Sequence, residues 1–214
     1  VSVSFVASAT YTVKHSFAWL RRRGNPADIS FSIYSDSAGD PNAALDTRTA
    51  SSFEDILDAN ERYASSFSQA HLTGVARKGL AVVTCMDSRI DPLSLLGMQA
   101  GDVKILRNAG ARVTEDVLRT LVLASHLLGV NRVLVMPHTD CRMASADEEQ
   151  VHAAIFKASG IDSRSIEIRT VSDQHAALVQ DVTRIRAYPL LSKELVVGGA
   201  IFDVHTGHLI VQDV

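Results

Sequence analysis

Apolar and polar positions alternate in two different ways along this chain, and the change falls near residue 49. From Ala50 onward, stretches with a helical period take turns with short unbroken apolar runs. In "SSFEDILDANERYASSF", Phe53, Ile56, Leu57 and Tyr63 fall near one helical face, and Ser51 followed by Glu54 has the spacing of a capping box. Four runs have strand length: "GLAVVTCMD", "DVKILRNAG", "RVLVMPH" and "ELVVGGAIFDV". Between the second and third lies "TEDVLRTLVLASHLLGV", a helix capped by Thr114, with Glu115 and Asp116 in its first turn and Gly129 as its stop. Two further helices are expected in "DEEQVHAAIFKASG" and "SDQHAALVQDVTRIRAY".

Apolar runs of this kind belong to strands buried on both faces, and helices between them imply parallel crossovers. The last 21 residues instead contain two strand patterns joined by a short turn at His205 to Gly207. The expected class is α/β: a mostly parallel central sheet flanked by helices, with an antiparallel edge hairpin at the C-terminus and an N-terminal helical arm.

Residues 1–48 differ in texture. They are rich in Ser, Asp, Gly and Pro and hold no sustained period, so they are expected to be a poorly ordered extension, with a domain at 49–214. No acidic residue precedes Asp28, and Ser, Thr and Arg are frequent, as in transit peptides. An amphipathic helix and a cleavage signal are missing from that comparison, and an over-long translation start at Val1 is the alternative. Composition adds exclusions: 46% hydrophobic and 21% charged residues are ordinary for a globular protein. A net charge of −3 gives no electrostatic case for nucleic acid or an acidic membrane, and no apolar run reaches the ~20 residues of a bilayer span. A soluble, cytoplasmic protein is expected.

Chemistry concentrates at two strand ends. Cys85, Asp87 and Arg89 alternate in "TCMDSRID", which would put all three on one side of an extended strand, and His138 and Cys141 close the third run in "MPHTDCRM". In an open parallel sheet, ligands gather at the carboxyl ends of strands. If the first and third strands are neighbours, two thiolates, an imidazole and a carboxylate surround one point, a donor set that suits Zn2+ and not Mg2+ or Ca2+. A closed structural zinc site would favour Cys and His alone. Here Asp87 is displaceable, because Arg89 offers it a bidentate alternative.

Cys-x-Asp-x-Arg, then His-x-x-Cys some fifty residues later with "RNAGARV" between them, resembles the beta-class carbonic anhydrases from about Phe53 to the C-terminus. That resemblance implies Cys85, His138 and Cys141 as permanent zinc ligands. Asp87 would be either a fourth ligand or the Arg89-bound acceptor of a hydrogen bond from zinc-bound water. Arg107 to Gly110 would line the site, with Gly110 at the substrate pocket allowing close backbone approach. The implied activity is reversible hydration of carbon dioxide to bicarbonate by zinc-bound hydroxide. Carbonyl sulfide or carbon disulfide hydrolysis on the same fold is the alternative, and a non-catalytic zinc protein is a third. A homodimer or higher homo-oligomer is implied as well, embraced through the helix around Ser52 to Phe67.

One departure from the family pattern stands next to the second Cys, where Arg142 replaces the usual Gly. If that position needs a left-handed backbone, Arg costs about 1 kcal/mol; otherwise the cation tunes the site or its anion affinity, or is a solvated surface Arg. Asp140 and Thr139 are expected in a turn or hydrogen-bonded beside the ligands. His126 is expected to be a partly buried core or interface histidine within its apolar helix, and His152, His175, His205 and His208 are expected mostly at the surface.

Overall fold

The computed structural model describes residues 52–214. The 1–48 extension and Ser51 lie outside the described residues. The chain divides into two compact units, one ending at Ser66 and the other spanning Phe67–Val214.

In the first unit, helix α1 (Glu54–Ser65) has Phe53 at its N-cap without a side-chain cap, and Glu54 and Asp55 in its first turn. It buries none of its residues. Phe53, Ile56, Leu57 and Tyr63 are each about half exposed, so the helix carries its apolar face uncovered.

The second unit is built on five strands: β1 (Leu80–Cys85), β2 (Val103–Asn108), β3 (Arg132–Met136), β4 (Val196–Phe202) and β5 (Leu209–Gln212). Their order is β2-β1-β3-β4-β5, parallel except for β4 and β5, which pair antiparallel as a terminal hairpin. The sheet class matches the sequence pattern. Burial does not extend to every run: β1 is buried throughout, whereas β2 is an edge strand and only half-buried, and β5 exposes Ile210 and Val211 on the other edge. An apolar run records burial, but which strand ends at an edge is decided by pairing.

The helices of this unit are α2 (Pro92–Leu95), α3 (Glu115–Leu127), α4 (Glu148–Ser159) and α5 (Gln174–Arg186). Thr114 caps α3 as expected, its side chain accepting from Val117 N–H. Asp147 and Gln150 form a full capping box on α4, which ends at Gly160 in the left-handed conformation. The main core packs Ala81 and Val83 of β1 and Val133 and Val135 of β3 against Val117, Leu118 and Leu121 of α3 and Leu178, Val182 and Ile185 of α5. Leu80 and Val82 belong to a second cluster with Ile90, Met136 and Phe202, as the two-residue alternation of a strand requires. Among the described residues no helix is long and apolar enough to cross a membrane.

Because β2 and β3 lie on opposite sides of β1, the chain reverses its winding direction at β1. A crevice at the carboxyl ends of β1 and β3 is the geometric consequence.

Candidate active site

Strand β1 stops at Cys85, so Asp87 and Arg89 do not continue its alternation. This corrects the expectation of three residues on one face of a strand. They sit in a turn in which the Asp87 carboxylate accepts the backbone N–H of its own i+2 residue, Arg89, at 2.9 Å. That local bond offers the chain an alternative to the sheet ladder, which is why Asp so often ends a strand in a turn. Strand β2 holds the turn in place: Arg107 donates from Nε to the Cys85 carbonyl (2.9 Å) and from Nη2 to the Asp87 carbonyl (2.6 Å).

His138 follows the end of β3 and is completely buried. Its Nδ1 lies 2.8 Å from the Thr139 carbonyl, and its own carbonyl accepts from Gln174 Nε2 of α5 at 2.5 Å. Thr139 fastens the same loop to the hairpin: its N–H donates to the Phe202 carbonyl, and its hydroxyl donates to Asp203. Sequence reasoning did not pick out Gln174, since an amide at a helix start has no signature of its own.

The parallel pairing of β1 with β3 brings the two clusters together. Cys85 and Cys141 are both buried, with their sulfurs 4.0 Å apart. These sulfurs and a ring nitrogen of His138 all lie within 4.8 Å of one another. His138 Nε2 is buried and has no hydrogen-bond partner among the described residues. A buried polar nitrogen without a partner is costly, and one aimed at two thiols is explained by a metal ion between them. Two thiolates and an imidazole are soft to borderline donors, so the residues fit Zn2+.

Asp87 stands beside this triad, engaged with Arg89. Oδ1 accepts from Arg89 Nε (3.0 Å) and Oδ2 from Nη2 (2.8 Å), while Oδ2 is 3.8 Å from His138 Nε2. The hydrogen bonds from Arg89, side chain first and backbone second, hold the Asp87 carboxyl far below the usual carboxylate range. Cys141 moves the other way in the metal-free protein. Burial pushes its thiol up to about 11.

Gly110 has φ +78° and directs its N–H at Cys85 Sγ, 3.4 Å away. A Cβ there would meet Met143 Cβ at 3.3 Å, so both backbone and space call for glycine. The next residue, Ala111, is also left-handed at φ +60°. The loop is closed by reciprocal bonds between the Asn108 side chain and the Arg112 backbone. Arg112 in turn reaches the buried Asp181 of α5, Nε to Oδ2 at 2.7 Å. Asp181 was not singled out from the sequence, yet a signal was present: it lies on the apolar face of α5 marked by Leu178, Val182 and Ile185.

Arg142 does not occupy a left-handed position. It opens a 3-10 turn, Arg142–Ala144, and is exposed, so the expected strain does not arise. The left-handed residue of this loop is Asp140, at φ +53°. In the single chain His126 is exposed and so is not a core residue, with Nε2 2.8 Å from the Leu190 carbonyl. His175, His205 and His208 are exposed, and His152 is half-buried against Ser163.

A parallel sheet with a Cys, His and Cys cluster at its switch point, and an Asp and Arg pair beside it, defines a metalloenzyme-type α/β site. The match to known proteins is more specific. The family model described as carbonic anhydrase matches residues 80–209. "Beta-carbonic anhydrase 1" of Mycobacterium tuberculosis is 35% identical over 156 residues, covering 73% of this chain and 94% of its own. A crystal structure of carbonic anhydrase from Streptococcus mutans superposes with a TM-score of 0.72 at 32% identity, covering 75% of this chain and 97% of that one. "Carbon disulfide hydrolase" of Acidithiobacillus thiooxidans is 29% identical over 150 residues, covering 61% of this chain and 75% of its own. The chain belongs to the beta-class carbonic anhydrase family, whose enzymes are lyases of the carbonate dehydratase type.

Proposed function

We propose that the protein catalyses the reversible hydration of carbon dioxide to bicarbonate, with Zn2+ held by Cys85, His138 and Cys141. The observation that carries this reading is the partnerless buried His138 Nε2 facing two thiols, beside a carboxylate already engaged by an arginine. When bound, Zn2+ supplies Lewis-acid activation of a water for attack on the carbon of carbon dioxide.

The chain's own residues set up that attack. Asp87 Oδ1 is occupied by two N–H groups of Arg89, whereas Oδ2 receives one and keeps a lone pair free on the side of His138. That oxygen accepts a hydrogen bond from the attacking water and orients it. Arg89 keeps the carboxylate ionised for the task. Gly110 N–H, donated to Cys85 Sγ, withdraws charge from one ligand thiolate, and the absence of a Cβ at Gly110 leaves the ligand accessible to close backbone approach. The exposed apolar face of α1 and the open edge strand β5 support assembly as a homodimer or higher homo-oligomer.

A second reading keeps the site and changes the substrate to carbon disulfide or carbonyl sulfide; the similarity to proteins named carbon disulfide hydrolase favours keeping it in the test. Stopped-flow assays of zinc-loaded protein with carbon dioxide, carbonyl sulfide and carbon disulfide in parallel distinguish the two. Turnover of carbon dioxide well above both sulfur compounds is expected. Exclusive turnover of a sulfur compound establishes the second reading, and no turnover with zinc bound at one per chain refutes both.

A further inference from the structure

The loops after β1 and β3 carry the candidate ligands, and each is anchored mainly to its outer neighbour. The first is tied to β2 through Arg107 and through Met86 N–H on the Asn108 carbonyl. The second is tied to β4, its hairpin and α5 through Thr139 and through the Gln174 bond to the His138 carbonyl. Among the described residues, and beyond the paired strands, the contact of the two thiols and the 3.8 Å approach of Asp87 to His138, Arg89 is the group that joins one loop to the other by hydrogen bonds. Its Nη1 donates to Asp140 Oδ2 at 2.7 Å and its Nη2 to the Asp140 carbonyl at 3.0 Å.

A second Asp-x-Arg pair in the same chain shows that this bond is not needed to hold Arg89 on Asp87. Arg164 closes on Asp162 with N, Nε and Nη2 distances of 3.1, 2.9 and 2.7 Å, against 2.9, 3.0 and 2.8 Å for Arg89 on Asp87. Among the described residues, the Arg164 side chain bonds to no third residue. The ring therefore forms from local sequence alone. Asp140 adds something else, and it does so from a left-handed backbone at φ +53° that lets its carboxylate and its carbonyl both reach one guanidinium.

We propose that Asp140 is a positioning residue: through Arg89 it ties the loop of Cys85 and Asp87 to the loop of His138 and Cys141, so that the ligand triad is assembled before metal arrives. This rests on the reading that Cys85, His138 and Cys141 hold a metal.

The test is a cycle of four full-length proteins: wild type, D140G, R89Q and the double variant, with D140N as the conservative replacement. Glycine and asparagine both accept the left-handed backbone, so the fold is spared. Two quantities are read: amide exchange at Met86, Ile90 and Thr139 in the metal-free protein, and zinc affinity by chelator competition. D140G is expected to speed exchange in the first loop, some fifty residues away, and to weaken zinc binding, each by about 3- to 10-fold. D140N falls between it and wild type, and in the R89Q background D140G changes neither quantity further. Equal losses with and without Arg89, or no loss in the wild-type background, overturn the proposal. If wild type takes up no zinc, the metal reading fails, and amide exchange in the metal-free protein still decides whether the tie exists.

Discussion

Removal of the Asp181 carboxylate tests how the Gly110 loop is held. Asp181 is 2% exposed, and the side chain of its partner Arg112 is 11% exposed. In Asp181→Ala the guanidinium keeps, among the described residues, only Gln180 Oε1 at 3.1 Å and a weak 3.5 Å approach to the Arg169 carbonyl, both neutral. Stripping one partner from a buried ion pair costs about 3–5 kcal/mol, and the surviving Gln180 bond places this site near the lower end, at about 3 kcal/mol. That is a large share of the roughly 5–15 kcal/mol that holds a domain folded. For a chain of this size it corresponds to a fall in Tm of about 6–12 °C. Thermal and urea unfolding of the metal-loaded protein measure it, with an unchanged m-value as the check that only stability has moved. The companion variant Arg112→Met/Asp181→Leu removes both charges and is expected to recover most of the loss, because an apolar pair of similar volume carries no desolvation cost. A loss under about 1 kcal/mol in Asp181→Ala, or a double variant as unstable as the single one, refutes the assignment of the pair as a buried anchor.

Gly110→Ala should cost more than Gly97→Ala: both positions have positive φ, but only at Gly110 does a Cβ meet a neighbour within 4 Å. Unfolding is expected to separate the two by about 1 kcal/mol or more, with zinc affinity reduced only in the first. Asp87, with its native carboxyl held below the ordinary value of 3.8, contributes stability that is complete above that value and lost as pH falls beneath it. Acid titration of Asp87→Asn should therefore show a shallower acid limb than wild type, and identical limbs would contradict the Arg89 pairing. Burial pushes the Cys141 thiol up to about 11 in the metal-free protein, so its proton must leave when metal binds. Zinc affinity should climb with pH between about 6 and 9, by up to about tenfold per unit for each thiol proton released, and Cys141→Ser should flatten that slope and lower the zinc content below one per chain. Two thiolates also donate more charge than neutral imidazoles, so the activity profile should rise toward alkaline pH; a flat rate from about pH 6 to 9 would count against the ligand set.

The sequence by itself determined the layer order of the second unit and the identity of its reactive groups. Hydrophobic period reports burial residue by residue, which is why the strands ending at Cys85 and Met136 and the helix capped by Thr114 were legible, and why Cys85, Asp87, Arg89, His138 and Cys141 stood out at strand ends. Their meeting was conditional on β1 and β3 being neighbours, a pairing that joins residues some fifty positions apart and leaves no local trace. Strand alternation misjudged how Asp87 meets Arg89, because the turn that seats it forms by a hydrogen bond to its own i+2 backbone, a local ring that Arg164 repeats on Asp162. Local spacing likewise could not assign the left-handed position to Asp140 instead of Arg142, since that depends on a guanidinium arriving from the other loop. The edge positions of β2 and β5 and the burial of Asp181 under Arg112 have the same origin. Each is settled by what packs against the residue, and the partner comes from a distant part of the chain.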